Sequence, residues 1–270
     1  MPTIAELLKN APTDREYFIR ALLGIDLAEL YLHPTRVVDT AVVTRLRALE
    51  RKRASGWPVQ YLLGEAWFFG RRFAVTRFVL IPRPETELLV ERAIEILKNQ
   101  PGAVLDIGTG SGAIAISIAL ASPGARVTAL DFSAKALVVA RANAHMLKAD
   151  IKFEQSNLLT HITWPRTSFV LIAANLPYLS DSRMETLSLE VKHEPRAALY
   201  GGPDGLDLYE KLFMQIKKHR HPKQRVVILA EIDPEQQTKL ATLRGREFPH
   251  SQIEFHRDLH GDIRLGEIIC

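Results

Sequence analysis

The sequence predicts an α/β protein: an open, mostly parallel sheet with an antiparallel last strand, preceded by a small all-helical N-terminal domain and a β-hairpin linker. Three observations predict it. From Pro101 onward, short apolar runs rich in β-branched residues alternate with helical stretches, the pattern of β-α units that builds a parallel sheet covered on both faces. The first third carries helix-start signals and no strand pattern. A glycine-rich turn, Gly108-Thr109-Gly110-Ser111-Gly112, separates the first apolar run from its helix.

Residues 1–64 form the helical domain. Thr3 with Glu6, Thr13 with Glu16 and Asp26 with Glu29 have capping-box spacing, in which a side chain at the helix start and a glutamate three residues later each satisfy a free backbone N–H. Phe18, Ala21, Leu22 and Ile25 make one apolar stripe, and Val38, Ala41, Val42, Leu46 and Leu49 continue it to Gly56. Arg45, Arg47, Arg51, Lys52 and Arg53 close the last of these helices. Cations there complement the C-terminal end of the helix dipole, so the cluster reads as a solvated face and argues against direct nucleic-acid binding.

Residues 65–83 form the linker, with Trp67 to Val75 as two short strands around Gly70-Arg71. Residues 84–270 form the α/β domain. Pro84 suits a first helical turn, Glu85 and Glu87 sit well against the helix dipole, and Leu88, Leu89, Ile96 and Leu97 are the expected buried side. Strands are predicted over Ala103–Ile107, Arg126–Leu130, Ile151–Glu154, Phe169–Ala173 and Arg225–Ala230, with helices over Ser111–Ala121 and Ser133–Leu147. The tail adds Ile253–Phe255 and Arg264–Ile269 around His260-Gly261-Asp262, a link short enough to demand antiparallel pairing.

With 270 residues, 47% hydrophobic and 24% charged, the composition is that of a soluble globular protein. No run approaches the ~18 apolar residues of a membrane helix, and the N-terminus lacks the layout of a signal peptide. Cys270 is the only cysteine. That excludes an intramolecular disulfide framework and fits a reducing cytoplasm. The net charge of +4 permits a nucleic-acid partner without requiring one.

The chemistry gathers at predicted strand ends. The glycines Gly108, Gly110 and Gly112, with Thr109 and Ser111 between them, let a ligand approach the backbone, and the helix that follows offers free N–H groups. Asp131 ends the next strand, where a carboxylate accepts both hydroxyls of a ribose. Together they point to an adenosine-containing cofactor. Gly108, Gly110 and Ala113 also satisfy a dinucleotide pattern, but Asp106 lies two residues before Gly108, where it suits a cationic amino group and would repel a pyrophosphate. S-Adenosylmethionine fits this better than a nicotinamide cofactor.

The run Phe169–Ala173 leads to Ala174-Asn175-Leu176-Pro177-Tyr178. Proline ends the strand there. The Asn175 side-chain oxygen and the Leu176 carbonyl are then two adjacent acceptors, suited to a planar NH2 group, with Tyr178 placed to pack on it. Taken alone, such a tetrapeptide reads as an ordinary strand-ending turn. His219, His221, His256 and His260 lack a third ligand, so no metal is expected, and Ser111 has no His-Asp partners to make it a nucleophile.

These residues resemble class I S-adenosylmethionine-dependent methyltransferases, and within them the release-factor glutamine methyltransferases (the HemK/PrmC family). Asn175, Pro177 and Tyr178 match its Asn-Pro-Pro-Tyr motif. The resemblance extends through Pro58 to Gly64, Leu80 to Glu87, Glu194 to Leu199, Gly201 to Asp207 and Asp258 to Arg264. It implies a Rossmann-like catalytic domain, a substrate-recognising helical domain and methylation of the glutamine amide nitrogen (N5) in a release factor's Gly-Gly-Gln loop. The implied enzyme is a cytoplasmic monomer with no metal and no membrane attachment. The residues at the family's site positions are Asn175, Leu176, Pro177 and Tyr178 for catalysis and substrate, and Asp106, Gly108–Gly112, Asp131, Asn157, Leu158 and Asn175 for the cofactor.

Two positions depart from the family. Leu176 replaces its first proline, giving a tetrapeptide similar to that of ribosomal-RNA adenine dimethyltransferases. Asn157 stands where an acidic residue is usual, and could still accept from the adenine amino group, with Leu158 as an apolar wall. An adenine-amine (N6) methyltransferase acting on RNA or DNA is therefore the first alternative, and a non-catalytic S-adenosylmethionine-binding module the second.

Overall fold

The structure, a computed structural model, describes all residues except Asn10 and Thr13, so the expected Thr13–Glu16 capping box lies outside the described residues. The chain divides into two units: residues 1–65 with 188–193, and residues 66–187 with 194–270.

The first unit carries α1 (Ile4–Leu8), α2 (Arg15–Leu23), α3 (Leu27–Leu32), α4 (Thr40–Ala54) and α5 (Val59–Leu63). Thr3 caps α1 through both bonds of a capping box with Glu6, and Asp26 caps α3 by accepting from the Glu29 N–H at 2.8 Å. The core is Ile4, Phe18, Ile19, Leu30, Val38, Val43 and Leu46. The expected stripe is corrected in phase, because Ile19 and Val43 are buried where Ala21 and Ala41 are exposed. Turning the larger side chains inward removes more apolar surface from water. Part of the basic cluster is used within the unit. Arg53 pairs with Asp14 at 2.5 Å and with Glu190 at 2.7 Å, and the His193 ring stacks on Trp57 with centroids 4.6 Å apart.

The second unit begins at Ala66, within the hairpin of β1 (Glu65–Phe68) and β2 (Arg71–Ala74). A 3-10 turn over Pro84–Thr86 leads into α6 (Glu87–Asn99), with Pro84 in the first turn as expected. The buried side of α6 is Leu89, Val90, Ala93 and Leu97, while Leu88 and Ile96 are half-buried. Then follow β3 (Ala103–Ile107), α7 (Ala113–Ala121), β4 (Arg126–Asp131), α8 (Ala134–Leu147), β5 (Lys152–Gln155) and β6 (Phe169–Ala174). After these come α9 (Asp181–Glu185), α10 (Asp207–His219), β7 (Arg225–Glu231), α11 (Gln237–Glu247), β8 (Gln252–Arg257) and β9 (Ile263–Ile269).

The seven-stranded sheet runs β5-β4-β3-β6-β7-β9-β8. Strands β3 to β7 pair in parallel, and the last strand, β9, enters antiparallel between β7 and β8. This is the sheet the sequence predicts. Every residue of β3 and β6 is buried, as a strand covered on both faces requires. Their alternate side chains feed two cores, Leu105, Ile107, Ile172 and Ala174 on one face and Val104, Leu171 and Ala173 on the other.

Several expected boundaries shift by a residue or two, β5 from Ile151–Glu154 to Lys152–Gln155 among them. Helix α7 starts at Ala113 instead of Ser111, because Gly108, Gly110 and Gly112 all take left-handed φ values (76°, 54° and 83°) and hold the chain out of the helix. Among the described residues, no helix is long and apolar enough to cross a membrane.

Candidate functional site

Strand register gathers the site. Ile107 of β3 pairs with Leu130 of β4 and with Ala174 of β6, and Ala174 pairs with Ala230 of β7. The residues that follow, Gly108, Asp131, Asn175 and Glu231, therefore line up along one edge, Asp131 and Glu231 as the last residues of their strands. Strand order reverses between β3 and β6, and a crevice opens there in sheets of this kind. A cavity of about 940 Å³ occupies this edge, lined by Gly108, Thr109, Gly110, Ser111, Asp131, Asn157, Leu158, Asn175, Leu176 and Pro177 among others.

The glycine loop is tied down on both sides. The N–H groups of Gly108 and Thr109 both donate to the Leu130 carbonyl, at 2.8 and 2.9 Å. Asp131 Oδ2 accepts from Gly110 N at 2.9 Å and Oδ1 from Ser133 N at 2.8 Å. Burial raises the pKa of this carboxyl above the usual carboxylate value, and those backbone donors offset part of the rise. With the backbone of Phe132 as a third donor, the two oxygens keep acceptor capacity for one guest hydroxyl. A Cβ on Gly112 would sit 3.0 Å from Ile116 and 3.2 Å from Ala140, so only glycine lets the loop lie this close to the helix layer.

Asp106 is a correction. It does not line the cavity, because it shares its strand face with Val104 and points into the α7 side. Its Oδ2 accepts from the Thr109 hydroxyl at 2.6 Å and from Ala115 N at 3.2 Å. Desolvation, partly countered by those bonds, pushes its carboxyl up to about 7. Asp106 braces the loop from behind, and its Oδ1 is left without a hydrogen-bond partner.

Asn157 is exposed on the cavity wall, and Leu158 beside it is buried at φ 54°, an uncommon conformation for leucine. On the β6 side, Asn175 Nδ2 donates to the Thr86 hydroxyl at 3.0 Å. That bond turns the Asn175 carbonyl oxygen away from Thr86. Leu176 is 3% exposed, and a Cβ on Gly108 would lie 3.3 Å from its side chain, so leucine packs directly beneath the glycine loop. The Tyr209 hydroxyl joins the ends of β6 and β7, its oxygen 2.9 Å from the Ala174 carbonyl and 2.5 Å from that of Glu231.

Tyr178 is the second correction. It does not line the cavity, and its hydroxyl donates to Glu231 Oε1 at 3.3 Å. Asn175 already binds Thr86 across the sheet edge, and Tyr178, three residues on, is carried behind the turn. There it braces the motif. The turn is further closed from behind by Gly205, where a Cβ would lie 2.0 Å from the Tyr178 carbonyl.

Sequence reasoning assigned no role to Thr86 or Glu231. Glu231 is 2% exposed, and burial pushes its carboxyl up to about 7. The available signal was a glutamate ending the apolar run Arg225–Ala230. Glu194 Oε2 accepts from Ile81 N at 3.1 Å, and its other oxygen pairs with Arg83. This ties the stretch from Leu80 to Glu87 to the stretch from Glu194 to Leu199.

Two family models match the chain: the Methyltransferase small domain over residues 84–194 and the PrmC N-terminal domain over residues 4–64. A release factor glutamine methyltransferase of Bacillus subtilis is 39% identical over 98% of this chain and 96% of its own length. Another, of Enterococcus faecalis, is 35% identical over 90% of this chain and 87% of its own. Among solved structures, a methyltransferase from Pyrococcus furiosus aligns with a TM-score of 0.52 at 17% identity, covering 86% of this chain and 98% of its own. The hMettl16 catalytic domain aligns with a TM-score of 0.58 at 13% identity, covering 96% and 93%. At these identities the two structures speak for the fold alone.

Proposed function

The chain belongs to the release factor glutamine methyltransferases, and from that premise we propose that it transfers a methyl group from S-adenosylmethionine to the glutamine amide nitrogen (N5) in the Gly-Gly-Gln motif of peptide chain release factors. The observation that carries the proposal is the orientation of Asn175. With Nδ2 donating to Thr86, its side-chain oxygen is the group left to receive an N–H from a guest in the cavity.

The residues present fit the cofactor. The three left-handed glycines open a backbone cradle that side chains would fill, and Asp131 offers two carboxylate oxygens at its rim. Gly108–Gly112, Asp131, Asn157 and Leu158 would hold it. When bound, it supplies an electrophilic methyl group on a sulfonium centre.

An amide nitrogen is a poor nucleophile because its lone pair is delocalised into the carbonyl. Asn175 Oδ1 and the Leu176 carbonyl accept the two substrate N–H bonds and hold the nitrogen in one orientation. Fixing that geometry replaces the random encounters of free reactants. As the nitrogen is alkylated its hydrogens become more positive, and both acceptors then bind more strongly than in the ground state. The alkylated nitrogen then gives up one proton to water, which leaves the neutral N-methyl amide.

The helical unit is assigned to recognition of the release factor, and the working state to a cytoplasmic monomer without a metal. The deciding experiment is tritiated methyl transfer to purified release factors, with ribosomal RNA and DNA in parallel. Label on the Gly-Gly-Gln glutamine is expected. Label on adenine alone would overturn the substrate assignment, and cofactor binding without any transfer would make the chain a binding module.

A further inference from the structure

We propose that Glu231 is a positioning residue for this reaction: acting through the Thr86 hydroxyl, its carboxylate determines which end of the Asn175 carboxamide faces the substrate. The inference rests on the amide-methylating reading above and adds a residue that never touches the substrate.

The chain of contacts is short and sealed. Asn175 Nδ2 lies 3.0 Å from Thr86 Oγ1, and Thr86 and Glu231 are only 3% and 2% exposed. The Thr86 hydroxyl faces the Glu231 carboxyl and eases its ionisation. Tyr178 donates to Oε1, while Oε2 is buried without a completed hydrogen bond. Oε2 is thus a buried acceptor left open in the structure.

Hydrogen-bond polarity does the rest. An ionised carboxylate only accepts, and a threonine hydroxyl has one hydrogen. With Glu231 ionised, Thr86 gives that hydrogen to the carboxylate and can only accept from Asn175. The amide must then present Nδ2 to Thr86 and its oxygen to the cavity. With Glu231 protonated, the carboxyl donates to Thr86, whose hydrogen turns toward Asn175 and draws the amide oxygen inward. Nδ2 then faces a substrate amide that needs an acceptor, donor against donor. This polarity also distinguishes the oxygen from the nitrogen of Asn175.

The charged and titratable groups around Glu231 leave the balance near neutrality. Burial disfavours its charge most, and Glu85 adds to the effect; Arg264 from β9 and the Tyr178 hydroxyl oppose it. The Tyr209 phenol from α10 also faces it and stays protonated. The result is a carboxyl pushed up to about 7.

The test is single-turnover methyl transfer to a release factor at saturating cofactor, from about pH 5.5 to about pH 9, for wild type, Glu231→Gln, Thr86→Val and Thr86→Ser. Wild type should lose rate as pH falls through about 7. Glu231→Gln and Thr86→Val should lose that acidic limb and run slower at alkaline pH by on the order of 10-fold, whereas Thr86→Ser keeps both limb and rate. A second readout needs no cofactor: the carboxyl-carbon NMR signal that disappears in Glu231→Gln should titrate near 7. An acidic limb unchanged in Glu231→Gln overturns the proposal, as does Thr86→Val with wild-type rate and limb. Should Glu231→Gln fail to fold, the two Thr86 variants carry the same prediction. Absence of transfer by wild type at every pH would reject the release-factor reading and this inference with it, whereas a surviving limb rejects only the role of Glu231.

Discussion

Replacing Asn175 by alanine tests the amide clamp most directly. The substitution removes the side-chain oxygen that faces the cavity and the Nδ2 donor that satisfies Thr86. The two losses have different sizes. Thr86 is 3% exposed, but the vacated volume opens onto the cavity that Asn175 itself lines, so water can reach the hydroxyl. The stability cost should therefore stay near the lower end of the ~1–3 kcal/mol expected for an unsatisfied buried group. The rate should suffer more, because an acceptor aimed at a charge-developing centre is worth about 10²–10³-fold, or roughly 3–4 kcal/mol. Cofactor affinity should change by less than about threefold, since the glycine loop and Asp131 lie on other strands. Single-turnover transfer of tritiated methyl to release-factor glutamine, with calorimetry of cofactor binding alongside, separates these quantities. Full transfer activity in Asn175→Ala would refute the clamp.

Asp131→Asn should weaken cofactor binding by roughly 1.5–3 kcal/mol, as charge-assisted bonds to a ribose are lost; undiminished affinity by calorimetry would remove Asp131 from the site. Leu176→Pro gives up part of a buried leucine side chain and gains about 0.4–1 kcal/mol from a stiffer unfolded chain. Activity should stay within about threefold, and a collapse would show that the leucine side chain under Gly108 holds the loop in shape. Asp106 has its carboxyl raised from 3.8 to about 7 in the fold, so its charge opposes folding. Its contribution to stability should decline as pH rises from about 4 to about 7, and the melting temperature of Asp106→Asn relative to wild type should climb over that window; a pH-independent difference contradicts the assignment. A chain lacking residues 1–64 should retain cofactor affinity and lose capture of the release factor, and transfer equal to that of the intact protein would reject the assigned division of labour.

What the sequence by itself determined lies within a few residues along the chain. The Thr3–Glu6 box, the left-handed glycines after β3 and the proline that stops β6 all act through local dihedrals and neighbouring backbone donors, and these are legible as composition and spacing. The alternation of apolar runs and helices specified a parallel sheet for a similar reason: a strand buried on both faces has to be apolar throughout. Only the tertiary structure decided which side chains meet. Asn175 and Thr86 are 89 residues apart, and Tyr178 and Glu231 are 53 apart, so their contacts depend on strand register and on the path of the turn behind the sheet. Parity decided against Asp106: one residue along β3 turns a side chain from one face to the other, and position 106 faces the helix layer instead of the cavity. The helical unit likewise selected Ile19 and Val43 over Ala21 and Ala41, because neighbouring positions share an apolar pattern and only the packing partner chooses the phase. Glu231 was hidden by the same physics, as its consequence comes from burial and from a hydroxyl on a distant turn, neither of which is written in the residues beside it.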